Sequence, residues 1–377
     1  MRVGYDARLL THGVGTYTRS LLRALLGADD RHEYVVFVAD AEGAEALGPL
    51  PERARTVVVG AAPFTLREQP TLLRALARNP VDLFHATSYP SPWRCRAPLV
   101  VTIHDLLCKA DPAFYPRIRG PKGVAMRLYY EWMNHHATHA ASHILTVSDY
   151  AREEILRFYP DLDPARITVA YNGVDPAFTP RPEEEVRGMR AHYGLDAPYL
   201  LFVGTFNPRK NLLGCLEAMA RLVRSPQWRH DLAVAARIDP RYPEIQARIR
   251  DLGLAERVHL LDYVPAADLP ALFSGAAAVV QPAFHESFGL PVVEAFACGV
   301  PVVTASTTAL PEVGGDAALY VDPADVGALA AAMERVVGDR ALRGRLIERG
   351  RARAALFSWD RTAARTLQVY AQVAGDG

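Results

Sequence analysis

Short apolar runs alternate with stretches of helical periodicity along the whole of this chain. Arg2–Asp6 reads as a first strand, followed by Gly13-Val14-Gly15 and an amphipathic helix over 16–26. Further strand-length runs fall at 34–38, 56–59, 82–85, 99–104 and 144–147. A second series follows at 199–203, 232–236, 258–261, 277–281, 301–304 and 319–321. Most of these runs are predominantly apolar rather than strictly alternating. That is the pattern of strands covered on both faces, and a parallel sheet joined by crossover helices supplies the cover. The pattern therefore predicts an α/β protein.

Between the two series, turn residues cluster at Asn172-Gly173-Val174-Asp175-Pro176. Pro180-Arg181-Pro182 and an acidic run, Glu183-Glu184-Glu185, come next. This punctuation marks an interdomain linker. The predicted division is 1–178, 179–357 and a terminal helical stretch, 358–377. A length of 377 residues suits two domains, and with half the residues hydrophobic each half can bury a core.

Charge narrows the function classes. Lys plus Arg equals Asp plus Glu, 42 each, so no polyanion-binding signature is present and nucleic acid is not an expected partner. Residues 78–127 are locally basic, with eight Lys or Arg against three Asp or Glu. The cysteines Cys95, Cys108, Cys215 and Cys298 form no C-x-x-C pair, which argues for ordinary thiols rather than a disulfide framework or zinc site. The N-terminus enters a strand at once and lacks a signal peptide's apolar region. No apolar stretch approaches the ~20 residues of a membrane span. The expected location is cytoplasmic, with any bilayer contact peripheral, at the inner face of the plasma membrane.

Candidate chemistry concentrates in the second half. Glu286 and Glu294 flank Ser287-Phe288-Gly289-Leu290-Pro291-Val292-Val293, directly after the strand at 277–281. Pro291 suits the first turn of a helix and Gly299 suits its end. Glu286 then lies in a loop at a strand tip, and Glu294 about one turn inside the helix. The amides of Gly289, Leu290 and Val292 would be left at the helix start, a ready site for a phosphate. Upstream, the run 199–203 closes on Gly204-Thr205 and leads through Phe206-Asn207-Pro208 to Arg209-Lys210-Asn211 and a helix over 212–223. Arg offers a planar fork of donors and Lys a compact charge, and both suit a diphosphate. No Walker motif is present.

These residues carry a resemblance. Gly204-Thr205-x-x-x-Arg209-Lys210-Asn211, followed by Glu286-x7-Glu294 around Phe288-Gly289-Leu290-Pro291, resembles the family 4 retaining glycosyltransferases. The motif is most similar to that of mannosyltransferase-like members. The resemblance implies the GT-B architecture, two facing Rossmann-like, doubly wound domains with a cleft between them, and a final helix that crosses back to the first domain. It implies donor binding through Gly15, Ser148, Arg209, Lys210, Phe288, Gly289, Leu290 and Glu294, and catalysis involving His104, Lys210 and Glu286. In that reading Glu294 holds the ribose hydroxyls, Glu286 contacts the donor sugar, and His104 faces the sugar from the first domain. Base contacts would be largely main-chain, near Tyr263-Val264. Some members carry Arg directly after the glycine of the Lys motif; here that place is Thr205, with Arg209 as the substitute cation.

Other residues have two readings each. Gly13-x-Gly15 is an incomplete dinucleotide fingerprint, since Thr18 stands at the third position, and a plain tight turn explains it equally. His104 ends a strand, where sheet ligands gather, and is either a sugar contact or a structural His; His85, also at a strand end, is a lesser candidate. Ser148 has the position of a helix N-cap. His135, His136 and His139 are helically spaced without a supporting carboxylate or Cys, and are assigned to a helix surface. Trp93-Arg94-Cys95-Arg96 with Arg117, Arg119, Lys122, Arg127, Tyr129, Tyr130 and Trp132 mix cations and aromatics. The region 93–132 suits an anionic membrane surface or lipid-linked acceptor, beside the plainer reading of a solvated helix face.

The expected reaction is transfer of a hexose, mannose from GDP-mannose first, to a hydroxyl of a glycan or lipid-linked acceptor, with retention. No metal or other cofactor is expected. Alternatives are the same transfer from a UDP-sugar, a nucleotide-sugar epimerase, a sugar phosphorylase, and a non-catalytic binding protein.

Overall fold

The computed structural model describes residues 1–10, 12–65, 67–110 and 120–375. Arg117 and Arg119 lie outside the described residues, as do the side chains of Cys108 and Lys122. The chain separates into two units. Met1–Gly173 with Ser358–Gly377 form the first, and Val174–Phe357 the second. The change of unit falls at Gly173, inside the predicted turn cluster and five residues before the boundary drawn from sequence.

Among the described residues the first unit holds seven parallel strands: β1 (Arg2–Asp6), β2 (Glu33–Val38), β3 (Ala54–Val58), β4 (Leu83–Ala86), β5 (Leu99–Ile103), β6 (His143–Thr146) and β7 (Ile167–Val169). Their spatial order is β3-β2-β1-β4-β5-β6-β7. The second holds β8 (Tyr199–Gly204), β9 (Asp231–Ala236), β10 (Val258–Leu260), β11 (Ala278–Gln281), β12 (Val302–Ala305) and β13 (Ala318–Val321), in the order β10-β9-β8-β11-β12-β13. Both sheets are doubly wound. The strand order reverses between β1 and β4 in one unit and between β8 and β11 in the other, and ligands of such sheets gather beyond the strands' carboxyl ends at that switch.

Burial follows from the continuous apolar strands. In β8, Leu200 and Phe202 enter a core with Leu216, Met219 and Val234, while Tyr199 and Leu201 enter the core on the opposite face with Phe273, Val292 and Phe296. Period-2 alternation thus feeds two apolar layers from one strand. The helix Trp359–Ala374, capped by Ser358, belongs to the first unit, where Trp359 lies edge-on to Tyr17 and Tyr370 reaches His85. β7 has no counterpart among the predicted strands. It is three residues long, with two only partly buried, too short to produce a readable run.

One predicted local structure is corrected. Gly13 and Gly15 do not form a loop ahead of the helix; they belong to the first turn of the helix His12–Ala28. Gly15 is packed so tightly that a Cβ there would sit 2.2 Å from the carbonyl carbon of Leu10. Close backbone packing, rather than a left-handed turn, accounts for glycine at this place.

Candidate active site

The second unit assembles its predicted residues at the β8/β11 switch. After β8, Pro208–Lys210 forms a single 3-10 turn whose start is capped by the Asn207 side chain. Asn211 then takes a left-handed conformation (φ 60°) and caps the helix Leu212–Leu222 by accepting from the Gly214 amide. Its Nδ2 also donates to the carbonyls of Pro282 and Pro323, at 3.0 and 2.7 Å. Asn tolerates this backbone better than most residues, because its short amide can bond locally. The site-forming role of Asn211 went unassigned in the sequence, although an Asn directly before a helical run is an N-cap signal.

This turn places Arg209 and Lys210 against the loop after β11. Lys210 Nζ donates to Glu286 Oε2 at 2.5 Å, and Arg209 Nη1 donates to the same oxygen at 3.2 Å and to the His285 carbonyl at 3.1 Å. The Phe284 amide donates to the Arg209 carbonyl at 2.7 Å, so backbone as well as charge locks the two loops together. Burial alone would raise the Glu286 carboxyl; the charges of Lys210 and then Arg209 outweigh it and hold the acid below its usual range. Thr308, at φ 60°, supplies a hydroxyl 3.2 Å from the Glu286 amide, and the Ala309 amide donates to the Glu286 carbonyl. These two neighbours were not singled out in the sequence, since nothing local distinguishes Thr307-Thr308-Ala309 from an ordinary loop.

The helix Leu290–Ala297 begins as predicted, with Pro291 in its first turn and Gly289 as N-cap at φ 96°. A Cβ at Gly289 would meet Leu310 Cδ2 at 2.8 Å. No side chain caps this end. The amides of Gly289 and Leu290 have no hydrogen-bond partner among the described residues, whereas the Val292 amide, expected to be open, donates to the Gly289 carbonyl at 2.9 Å. Phe288 is buried with its ring edge-on to Phe357 at 5.5 Å. Glu294 sits one turn inside the helix. Desolvation pushes its carboxyl up to about 8; the charge of Asp175 adds to the rise and Lys210 opposes it. Tyr263, by contrast, is 68% exposed beside the buried Val264.

In the first unit, His104 stands just past β5. Its Nε2 lies 2.9 Å from the Thr87 carbonyl, and a carbonyl only accepts, so Nε2 carries the proton and a neutral ring keeps Nδ1 as acceptor. Burial lowers its pKa, against smaller opposing effects from Thr87 and Asp105. A neutral imidazole with an accepting Nδ1 is suited to receive a hydrogen bond from a hydroxyl. Ser148 is buried and caps the helix Asp149–Phe158, accepting from the Ala151 amide at 3.0 Å. His135 and His139 stack at 4.1 Å on the helix Pro121–Ala140, and His136 stacks on Trp132 at 5.1 Å. Among the described residues no group of three or more His, Cys, Asp or Glu is placed to hold a metal. No described helix is long and apolar enough to cross a membrane.

Two doubly wound units, one with paired cations and an open helix start at its switch point, define a nucleotide-directed α/β protein. Residues 190–353 match the family described as glycosyl transferases group 1, and residues 11–178 match Glycosyltransferase Family 4. The chain is 32% identical over 377 residues to the O-antigen chain mannosyltransferase B of Escherichia coli, covering 95% of each chain. It is 31% identical over 280 residues to the MMP alpha-(1->4)-mannosyltransferase of Mycolicibacterium hassiacum, covering 72% of this chain and 65% of that one. Among solved structures, the sucrose-phosphate synthase of Thermosynechococcus elongatus superposes with a TM-score of 0.78 at 23% identity, over 100% of this chain and 99% of that one. The HepE protein of Anabaena in complex with UDP-glucose gives 0.78 at 19% identity, over 98% and 100%. The chain belongs to family 4 of the glycosyltransferases, and its fold is GT-B.

Proposed function

We propose that this glycosyltransferase moves mannose from GDP-mannose to a hydroxyl of a glycan or lipid-linked acceptor, with retention at the anomeric carbon and without a metal. The observation that carries the reading is the Arg209–Lys210–Glu286 cluster at the β8/β11 switch, next to the uncapped helix start at Gly289. Breaking a sugar–phosphate bond leaves charge on the departing diphosphate. Two cations and two unpartnered amides are the groups that stabilise such charge without reorganising. Glu286 gives one oxygen to the cations and keeps Oε1 for a sugar hydroxyl. Glu294 holds the ribose hydroxyls, and His104 Nδ1 accepts from the donor sugar. The mannosyltransferase names of the E. coli and Mycolicibacterium relatives support the choice of sugar.

The second reading is the same transfer from a UDP-sugar, favoured by the fold shared with the UDP-glucose complex of HepE. A thermal-shift panel of nucleotide sugars separates the two: GDP-mannose should raise the melting temperature most. Acceptor-dependent release of free nucleoside diphosphate distinguishes transfer from epimerisation, and inertness with phosphate as sole acceptor rules against a phosphorylase. The anomeric configuration of the product, read by NMR, tests retention.

The proposal includes peripheral contact with an anionic membrane surface through the region 93–132. Val124, Leu128 and Trp132 form an exposed stripe at i, i+4 and i+8 on the helix Pro121–Ala140, Trp93 lies edge-on to Trp132 at 5.2 Å, and Arg94 and Arg96 are exposed. Apolar insertion beside cations is the chemistry of an interfacial helix. Sedimentation with anionic vesicles should show salt-sensitive binding; its absence would remove the membrane from the reading.

A further inference from the structure

A line of buried polar groups crosses the first unit from its last helix to the neighbourhood of His104. The hydroxyl of Tyr370, on the helix Trp359–Ala374, lies 2.6 Å from His85 Nδ1. His85 Nε2 lies 2.8 Å from Thr102 Oγ1, and Thr102 Oγ1 lies 2.9 Å from the Tyr17 hydroxyl. The Tyr17 ring then meets His104 edge-on, with centroids 4.6 Å apart and planes at 86°. Tyr370, His85, Thr102 and Tyr17 are all at most 1% exposed.

Such a chain is directional. A neutral imidazole has one donor and one acceptor nitrogen, and each hydroxyl has one proton. Either Tyr17 donates to Thr102, Thr102 to His85 Nε2 and His85 Nδ1 to Tyr370, or Tyr370 donates to His85 Nδ1 and His85 Nε2 to Thr102, with the Thr102–Tyr17 bond then running in either sense. A charged His85 would donate from both nitrogens, and burial, with the neighbouring His104, lowers its pKa to about 3, so the neutral form persists. Polar groups sealed from water keep their partners because losing one leaves the other unsatisfied. The Tyr17 hydroxyl is thereby pinned, and with it the ring that forms one wall of His104. A second restraint on His104 is its Nε2–H bond to the Thr87 carbonyl.

We propose that Tyr370 and His85 are positioning residues for His104, acting through Thr102 and Tyr17, so that the returning C-terminal helix sets the orientation of an imidazole on β5. The proposal rests on the reading that His104 faces the reacting sugar. It gives the last helix a part in turnover beyond packing. Residues 17, 85, 102, 104 and 370 meet only because β1, β4 and β5 are neighbours and the terminal helix lies against the helix that follows β1.

The test uses the full chain and two variants that remove single hydroxyls while keeping their rings, Tyr370→Phe and Tyr17→Phe. Three quantities are read: the His104 ring-nitrogen resonances, the kinetics of transfer from GDP-mannose, and the melting temperature. Each variant should shift the His104 resonances and lower kcat about tenfold, the size of a small misplacement of a reacting group, with the donor KM little changed. A fall in melting temperature with the His104 resonances and kcat at wild-type values would overturn the proposal and leave the chain a packing device. If one variant fails to fold, the other decides by the same readings. If no nucleotide sugar is turned over by the wild type, the proposed function fails on its own, and the His104 resonances still decide whether the coupling exists.

Discussion

Lys210 Nζ sits 2.5 Å from Glu286 Oε2, with 8% and 12% of the two side chains exposed. A nearly dry ion pair across a sheet's switch point is costly to assemble, and removing one partner leaves an uncompensated buried charge. In the proposed function the same cation also faces the donor diphosphate.

Lys210→Ala should therefore act twice. Turnover should fall ~10²–10³-fold, the usual loss when a preorganised charge stabiliser is removed. The folded state should lose ~3–5 kcal/mol, because Glu286 is left buried beside Arg209 alone. Single-turnover kinetics and chemical denaturation measure the two separately; near-normal turnover would refute the catalytic role of Lys210.

Glu294 makes a prediction about pH. Its folded pKa of about 8 lies above the 4.5 of an ordinary glutamate. Between those values the folded protein keeps a proton that the unfolded chain has released, so stability is fully present below about pH 4.5 and declines as pH rises through about 8. Glu294→Gln removes the titration. Its melting temperature should fall less steeply than that of the wild type across this window, and its affinity for GDP-mannose should drop. Parallel melting curves for the two proteins would contradict the assignment.

Gly289→Ala tests the helix start. The backbone there is left-handed at φ 96°, and an added Cβ would press on Leu310. The strain should cost ~1–2 kcal/mol, and relief by backbone movement would displace the Gly289 and Leu290 amides. Calorimetry should show weaker nucleotide-sugar binding together with a lower melting temperature. Unchanged binding would take the helix start out of the donor site.

If Arg209, Lys210 and the helix amides carry the diphosphate by themselves, a chelator should leave the rate unchanged, and added divalent ions should not raise it. Loss of activity in a chelator, restored by one cation, would show that a metal shares the load.

Much of the local structure was legible because it is local in cause. β1 matches its predicted bounds, and β8, β11 and the helix Leu290–Ala297 lie within a residue or two of theirs. Apolar runs, Pro291 and Gly289 act through their immediate neighbours. Gly13-x-Gly15 misled for the same reason: a glycine pair reads as a turn, while the reason for Gly15 is the Leu10 backbone against which the helix is packed. β7 was invisible because an edge strand of three residues leaves no pattern. Asn211, Thr308 and Asp175 acquire their roles from loops far away in sequence.

The sequence by itself determined the two strand series, the helix that opens at Gly289, the family and the identity of the charged residues. Hydrophobic periodicity and capping are properties of neighbouring residues, and the motif spacing is written directly in the chain. Tertiary structure alone decided that Lys210 spends its charge on Glu286, that burial lifts Glu294 while two cations depress Glu286, and that the last helix reaches His85. Those outcomes depend on which strands become neighbours and how much water is excluded between them, and neither quantity is encoded at any single position.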